Sequence, residues 1–216
     1  MTIDFTAARQ NMLDSQVRTN DVPDLTIQDA MATAPRERFC AAGRDHLAYA
    51  ETEIEYAPSY FLLKPRDIAK LLHSVAPKAG ESALCIAAPY AAMVLANMGL
   101  EVTVRLPTGP AKDVATAALA NFNVQFETED LAAQILGAYD LILVEGAVPS
   151  PPAAWLDALA RSGRAGARLG VIERNGPVGK ARIYRRTADG TVGARESFDA
   201  TPPILPGFEA AAVFSF

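Results

Sequence analysis

From residue 79 onward the sequence alternates short apolar runs of strand length with helix-length segments, and few architectures accept that alternation. Lys78-Ala-Gly-Glu81 reads as a turn, 82–87 as a first strand, and 89–98 as the helix after it, closed by Gly99. Strands follow at 101–106 and 124–127, around a helix at 110–119. The run Leu141-Ile-Leu-Val144, within an expected strand at 139–144, is continuously apolar, as in a central parallel strand. A helix over 151–161 and a turn at 163–166 precede strands at 167–173, 180–187 and 191–199, the last two around a hairpin at Ala188-Asp-Gly190. Residues 202–208 form a stiff connector to a final apolar strand at 211–216. Alternating strands and helices imply a mostly parallel sheet with helices on both faces.

Residues 1–78 lack that alternation. Phe5, Ala8, Met12 and Val17 have helical spacing, a second helix is expected over 26–34, and Pro35 stops it. Residues 36–49 form a short amphipathic stretch and 50–64 an extended arm. Pro65 opens a third helix, with Ile68, Leu71, Leu72 and Val75 as its buried stripe. The chain thus divides into an N-terminal helical extension with an arm, 1–78, and an α/β core, 79–216, within one structural domain.

A net charge of −5 lacks the basic excess that nucleic acid or an anionic membrane requires. The most apolar stretch, 84–100, is interrupted by polar residues and a proline, so no membrane span is expected, and the N-terminus shows no secretory pattern. Cys40 and Cys85 have no metal-type spacing and read as reduced thiols of a cytoplasmic protein. His46 and His73 stand alone, so no metal site is expected, and Ser59 lacks a nucleophile-elbow context.

The first strand–helix junction is where a doubly wound fold places a nucleotide-like cofactor, usually on glycines. This chain has Ala87, Ala88 and Pro89 there. The alanine Cβ atoms disfavour positive φ and limit close approach, and Pro89 has no N–H to donate. Glu145, just after the most apolar strand, offers either a polar contact in the cleft or a cap to the following loop. Asp140 is expected to position its strand or pair with a base. Arg182, Arg185 and Arg186 read as a solvated face and Trp155 as packing. The 205–208 tail closes over either the sheet edge or the cleft.

Met12-Leu-Asp-Ser-Gln-Val-Arg18, Ala34-Pro-Arg-Glu-Arg-Phe39, His46-Leu-Ala-Tyr49, Tyr139-Asp-Leu-Ile-Leu-Val-Glu-Gly146 and Pro206-Gly-Phe208 together resemble the protein-L-isoaspartate O-methyltransferase family. The resemblance implies a class I, Rossmann-like methyltransferase fold with an N-terminal extension. It also implies S-adenosylmethionine as methyl donor and isoaspartyl carboxylates as acceptors. Its motifs map onto altered residues. Cys85 stands where the family has an acid, and Ala87, Ala88 and Pro89 where it has a glycine-rich loop. Arg105 and Leu106 stand where related enzymes place the acid that binds the ribose hydroxyls, with Glu101 and Glu129 as substitutes. Leu63 and Lys64 replace the serine and glutamine of the substrate arm. Leucine cannot hydrogen-bond a carboxylate; Lys64 either attracts one or is simply solvated.

Two readings follow. In one, the chain is a degenerate member, a pseudoenzyme poor at or incapable of binding S-adenosylmethionine, which acts as a binding or scaffold protein for a protein or peptide, or through a homodimer. In the other, it is a working carboxyl methyltransferase with a rebuilt S-adenosylmethionine site, relying on orientation of the reacting carboxylate.

Overall fold

The computed structural model describes residues 3–209; the strand expected at 211–216 lies outside the described residues. Asp4 caps α1 (Phe5–Met12) by accepting the Ala7 amide at 3.0 Å. The helix continues as a π-helical turn over Leu13–Val17 and a tight turn over Arg18–Asn20. Asp24 caps α2 (Leu25–Ala32), which stops short of Pro35. The expected arm is a hairpin of β1 (Ile54–Ala57) and β2 (Tyr60–Leu62). Its turn is made by Ser59 at φ +65°. Pro65 begins α3 (Pro65–Val75), whose apolar stripe is fully buried.

The core is a seven-stranded sheet in the order β5–β4–β3–β6–β7–β8–β9. It comprises β3 (Ser82–Ile86), β4 (Glu101–Arg105), β5 (Val124–Glu127), β6 (Leu141–Val148), β7 (Arg168–Glu173), β8 (Gly179–Arg186) and β9 (Val192–Ala200). The first five are parallel, and β8 and β9 extend the sheet as an antiparallel pair. The connecting helices are α4 (Pro89–Asn97), α5 (Pro110–Ala118) and α6 (Ala153–Arg161). This is the Rossmann-like, mostly parallel α/β fold expected from the alternation.

Three features position the cleft. The N-terminal extension packs onto the core: α3 lies so close to β7 that a Cβ on Gly170 would stand 2.7 Å from Val75 Cγ1. β6 starts later and runs further than expected, through Glu145 and Gly146 to Val148. Leu143 faces Gly170 while Ala147 faces Ile172, so β6 bulges between these points. Such a bulge re-aims a side chain, here that of Glu145. The tail then closes over the end of β6: Leu205 N–H donates to Ala147 C=O at 2.8 Å, and Ala147 N–H to Pro203 C=O at 3.0 Å.

No helix among the described residues is long and apolar enough to cross a membrane.

Candidate functional site

A parallel sheet binds ligands outside the carboxyl ends of its strands, at the point where strand order reverses. That point lies between β3 and its parallel neighbour β6. The turn after β3 and Glu145 of β6 are buried beside it.

The turn after β3 is tightly tied. Ala87 takes φ +49°, despite the expectation that its Cβ would keep it out of this region. The surrounding fold imposes the conformation, with the Ala87 N–H donating to Arg105 C=O at 3.1 Å. Pro89 begins α4 and has no N–H to offer. Ala87, Ala88, Tyr90 and Ala91 are all fully buried.

Glu145 is fully buried. Its Oε1 accepts the Leu63 amide at 3.0 Å and its Oε2 the Ala91 amide at 3.4 Å. The carboxylate therefore sits against the first turn of α4, where helix amides and the helix dipole favour an anion. It joins β6, the arm and α4, which is more than a cap to its own loop. Burial raises the pKa of Glu145 to about 7, opposed by the charge of Arg36 and the two amides.

Arg36 is also fully buried, its guanidinium 4.8 Å from the centre of the Tyr90 ring. Its Nε donates to Ala48 C=O at 2.9 Å, and its Nη2 donates to Leu63 C=O. Burial lowers the pKa of Arg36 and lifts that of the Tyr90 phenol to about 12. Among the described residues, Arg36 Nη1 and the hydroxyls of Tyr56 and Tyr90 are buried without a hydrogen-bond partner. This polar capacity is inside the core, not on an open wall.

The remaining sequence candidates fall around this cluster. Leu63 is fully buried, with its N–H and C=O both engaged. Lys64 is not simply solvated: its Nζ lies 3.5 Å from Glu53, with both side chains largely covered. Cys85 is buried within β3, and burial raises its thiol pKa. Cys40 and Cys85 are both free thiols. Leu106 is fully buried beyond β4. Arg105 pairs with Glu127 and donates to Ala133 C=O at 2.7 Å. Of the substitute acids, Glu101 begins β4 and so stands at the opposite end of the sheet, whereas Glu129 is exposed after β5.

Asp140 accepts the Ser82 amide and hydroxyl, both at 2.9 Å, and pairs with Arg164, which holds its pKa down to about 2. It fixes β3 beside β6 as expected. Trp155 is buried, donating to Leu131 C=O at 2.9 Å. The arginines of β8 do not form one solvated face, since Arg182 pairs with Glu173 and Glu196 while Arg186 donates to Ala160 C=O at 2.8 Å. No group of three or more metal-ligating side chains occurs among the described residues.

The sequence did not reveal Arg36, Tyr56 and Tyr90 as the groups around Glu145. Arg36 and Tyr90 are 54 residues apart in the chain numbering, and no local periodicity marks an arginine for burial. The one available signal was that Arg36 lies inside a segment carrying the family resemblance.

Over β4 and β5 the cleft remains open as a trough of about 450 Å³, lined by Tyr60, Pro107, Asp130, Leu131, Ala132 and the 206–208 tail.

The model of the family described as protein-L-isoaspartate(D-aspartate) O-methyltransferase matches residues 7–196. A protein-L-isoaspartate O-methyltransferase of Methylorubrum populi is 31% identical over 215 residues, spanning 95% of this chain and 98% of its own. Protein-L-isoaspartate O-methyltransferase 1 of Rhodopseudomonas palustris is 33% identical over 167 residues, covering 74% of this chain and 68% of its own. A Plasmodium falciparum structure of such an enzyme with S-adenosyl-L-homocysteine superimposes with TM-score 0.76 at 13% identity, over 94% of this chain and 99% of its own.

Proposed function

The chain belongs to the protein-L-isoaspartate O-methyltransferase family, and on that premise we propose that its own side chains close the cofactor cleft and that it acts as a binding or scaffold protein for a protein or peptide. The observation that carries this reading is the Glu145 carboxylate at the start of α4, held by the amides of Leu63 and Ala91. The carboxylate of S-adenosylmethionine would meet a like charge there, which disfavours holding both ionised. Tyr90, Arg36 and Leu63 fill the surrounding volume, and each is buried. At the end of β4, Leu106 offers a ribose no acceptor, and Arg105 is already paired. These residues do not fit the cofactor in the position that the family resemblance implies.

Leu63 also removes the arm hydroxyl that the resemblance assigns to carboxylate recognition. The losses therefore affect the cofactor and the acceptor separately.

Titration of the purified protein with S-adenosylmethionine and S-adenosylhomocysteine, by calorimetry and thermal shift, tests the reading. A ligand at a hundred times its Kd stabilises a fold by about 2.7 kcal/mol. No heat and no shift at millimolar ligand is the expected result. Micromolar binding would overturn it, and methylation of an isoaspartyl peptide would then establish the working enzyme.

A further inference from the structure

The filled half of the cleft adjoins the open trough over β4 and β5, and the trough has a chemistry of its own. Tyr60 and Phe208 are half-buried aromatic residues in its lining, and Leu131, Pro107 and Pro206 supply apolar surface. Asp130 is exposed and contributes a carboxylate; burial and then the Asp130 charge raise the Tyr60 phenol pKa. Glu209 adds a second acid at the tail, its Oε2 accepting the Gly207 amide at 2.8 Å. Glu129 adjoins Asp130 in the sequence. None of the lining residues is basic. The nearby cations are engaged elsewhere: Arg105 is buried against Glu127 and the Ala133 carbonyl, and Lys112 donates to the Thr128 hydroxyl. Asp130 is thus the charged group of the lining, with no cation beside it there.

We propose that this trough receives an arginine side chain presented by a partner polypeptide. A planar guanidinium stacks on aromatic faces while donating to a carboxylate, a combination that an ammonium reproduces poorly. At about 450 Å³ the trough has room for the residues flanking the arginine as well as for its side chain. The exposed Asp130 carboxylate, beside the half-buried rings of Tyr60 and Phe208, provides the charge complementarity that recruits such a partner. The proposal rests on the reading above for its biological meaning, because it names what a member without turnover would bind.

Fluorescence anisotropy with a labelled Gly-Ser-Arg-Ser-Gly peptide, beside its citrulline twin, tests the site directly. The arginine peptide is expected to bind saturably and at least about tenfold more tightly than the citrulline peptide. Asp130→Asn and Asp130→Lys should each weaken it about tenfold without changing the melting temperature, because Asp130 is exposed. Equal binding of the two peptides, no effect of Asp130→Lys, or no saturable binding at millimolar protein would overturn the proposal. Free arginine amide binding as tightly as the peptide would overturn the polypeptide source. The cofactor titration on the same samples separates the two readings: micromolar S-adenosylmethionine binding with intact arginine selectivity would remove only the closed-cleft reading.

Discussion

Glu145 on β6 accepts the Leu63 amide at 3.0 Å across 82 residues of sequence, joining the arm to the carboxyl end of the central strand. The same carboxylate holds the first turn of α4 through Ala91. One buried acid therefore fastens three elements, β6, the arm and α4.

Glu145 makes stability depend on pH in a known direction. Its pKa rises from an ordinary 4.5 to about 7 on folding, so between these values the folded chain binds more protons than the unfolded one. Stability from this group is full below pH 4.5, falls as pH rises, and is lost by about pH 7, a change of about 3 kcal/mol. Glu145→Gln, which does not ionise, should gain about that much relative to the parent between pH 4.5 and 7.5. Parallel urea titrations at the two pH values measure the difference; equal changes in both proteins would contradict this assignment.

Placing a serine at position 63 of the arm should harm the fold. Leu63 is fully buried, so Leu63→Ser leaves a cavity and places a hydroxyl inside it. The expected cost is about 3–5 kcal/mol by denaturant unfolding. A cost below about 1 kcal/mol would mean that the arm does not pack as described.

Gly146→Ala should be costly for two reasons. The residue has φ +141°, and a Cβ would lie 2.6 Å from both Leu205 Cγ and Cδ2. A loss of about 2–4 kcal/mol is expected. Combining it with Leu205→Ala should recover the steric part while leaving the backbone part, and a double-mutant cycle separates them. Purely additive losses would show that the tail does not press on the bulge.

The sequence made much of the sheet legible because its strands carry short apolar runs bounded by turns. β5 is the clearest match, at Val124–Glu127 in both the reading and the structure. β6 departs from the expected 139–144 for a specific reason. The apolar run stops at Val144, and a following Glu-Gly pair looks like a loop, yet the strand continues because the bulge turns Glu145 inward to two amides. The altered positions at Leu63, Ala87, Pro89 and Leu106 stood out in the sequence by residue type. What filled their surroundings did not, because Arg36, Tyr56 and Tyr90 meet only through long-range folding.

Ala87 carries a strain that is local to its turn. Its φ of +49° is a backbone shape that glycine adopts freely, so Ala87→Gly would relax the turn without moving Tyr90, Arg36 or Glu145. Opening space beside Glu145 would instead require replacing several interior residues together, since Leu63, Tyr90 and Arg36 are all fully buried. The strain at Ala87 therefore resides in its own backbone, and relieving it is separable from the packing of the buried residues around Glu145.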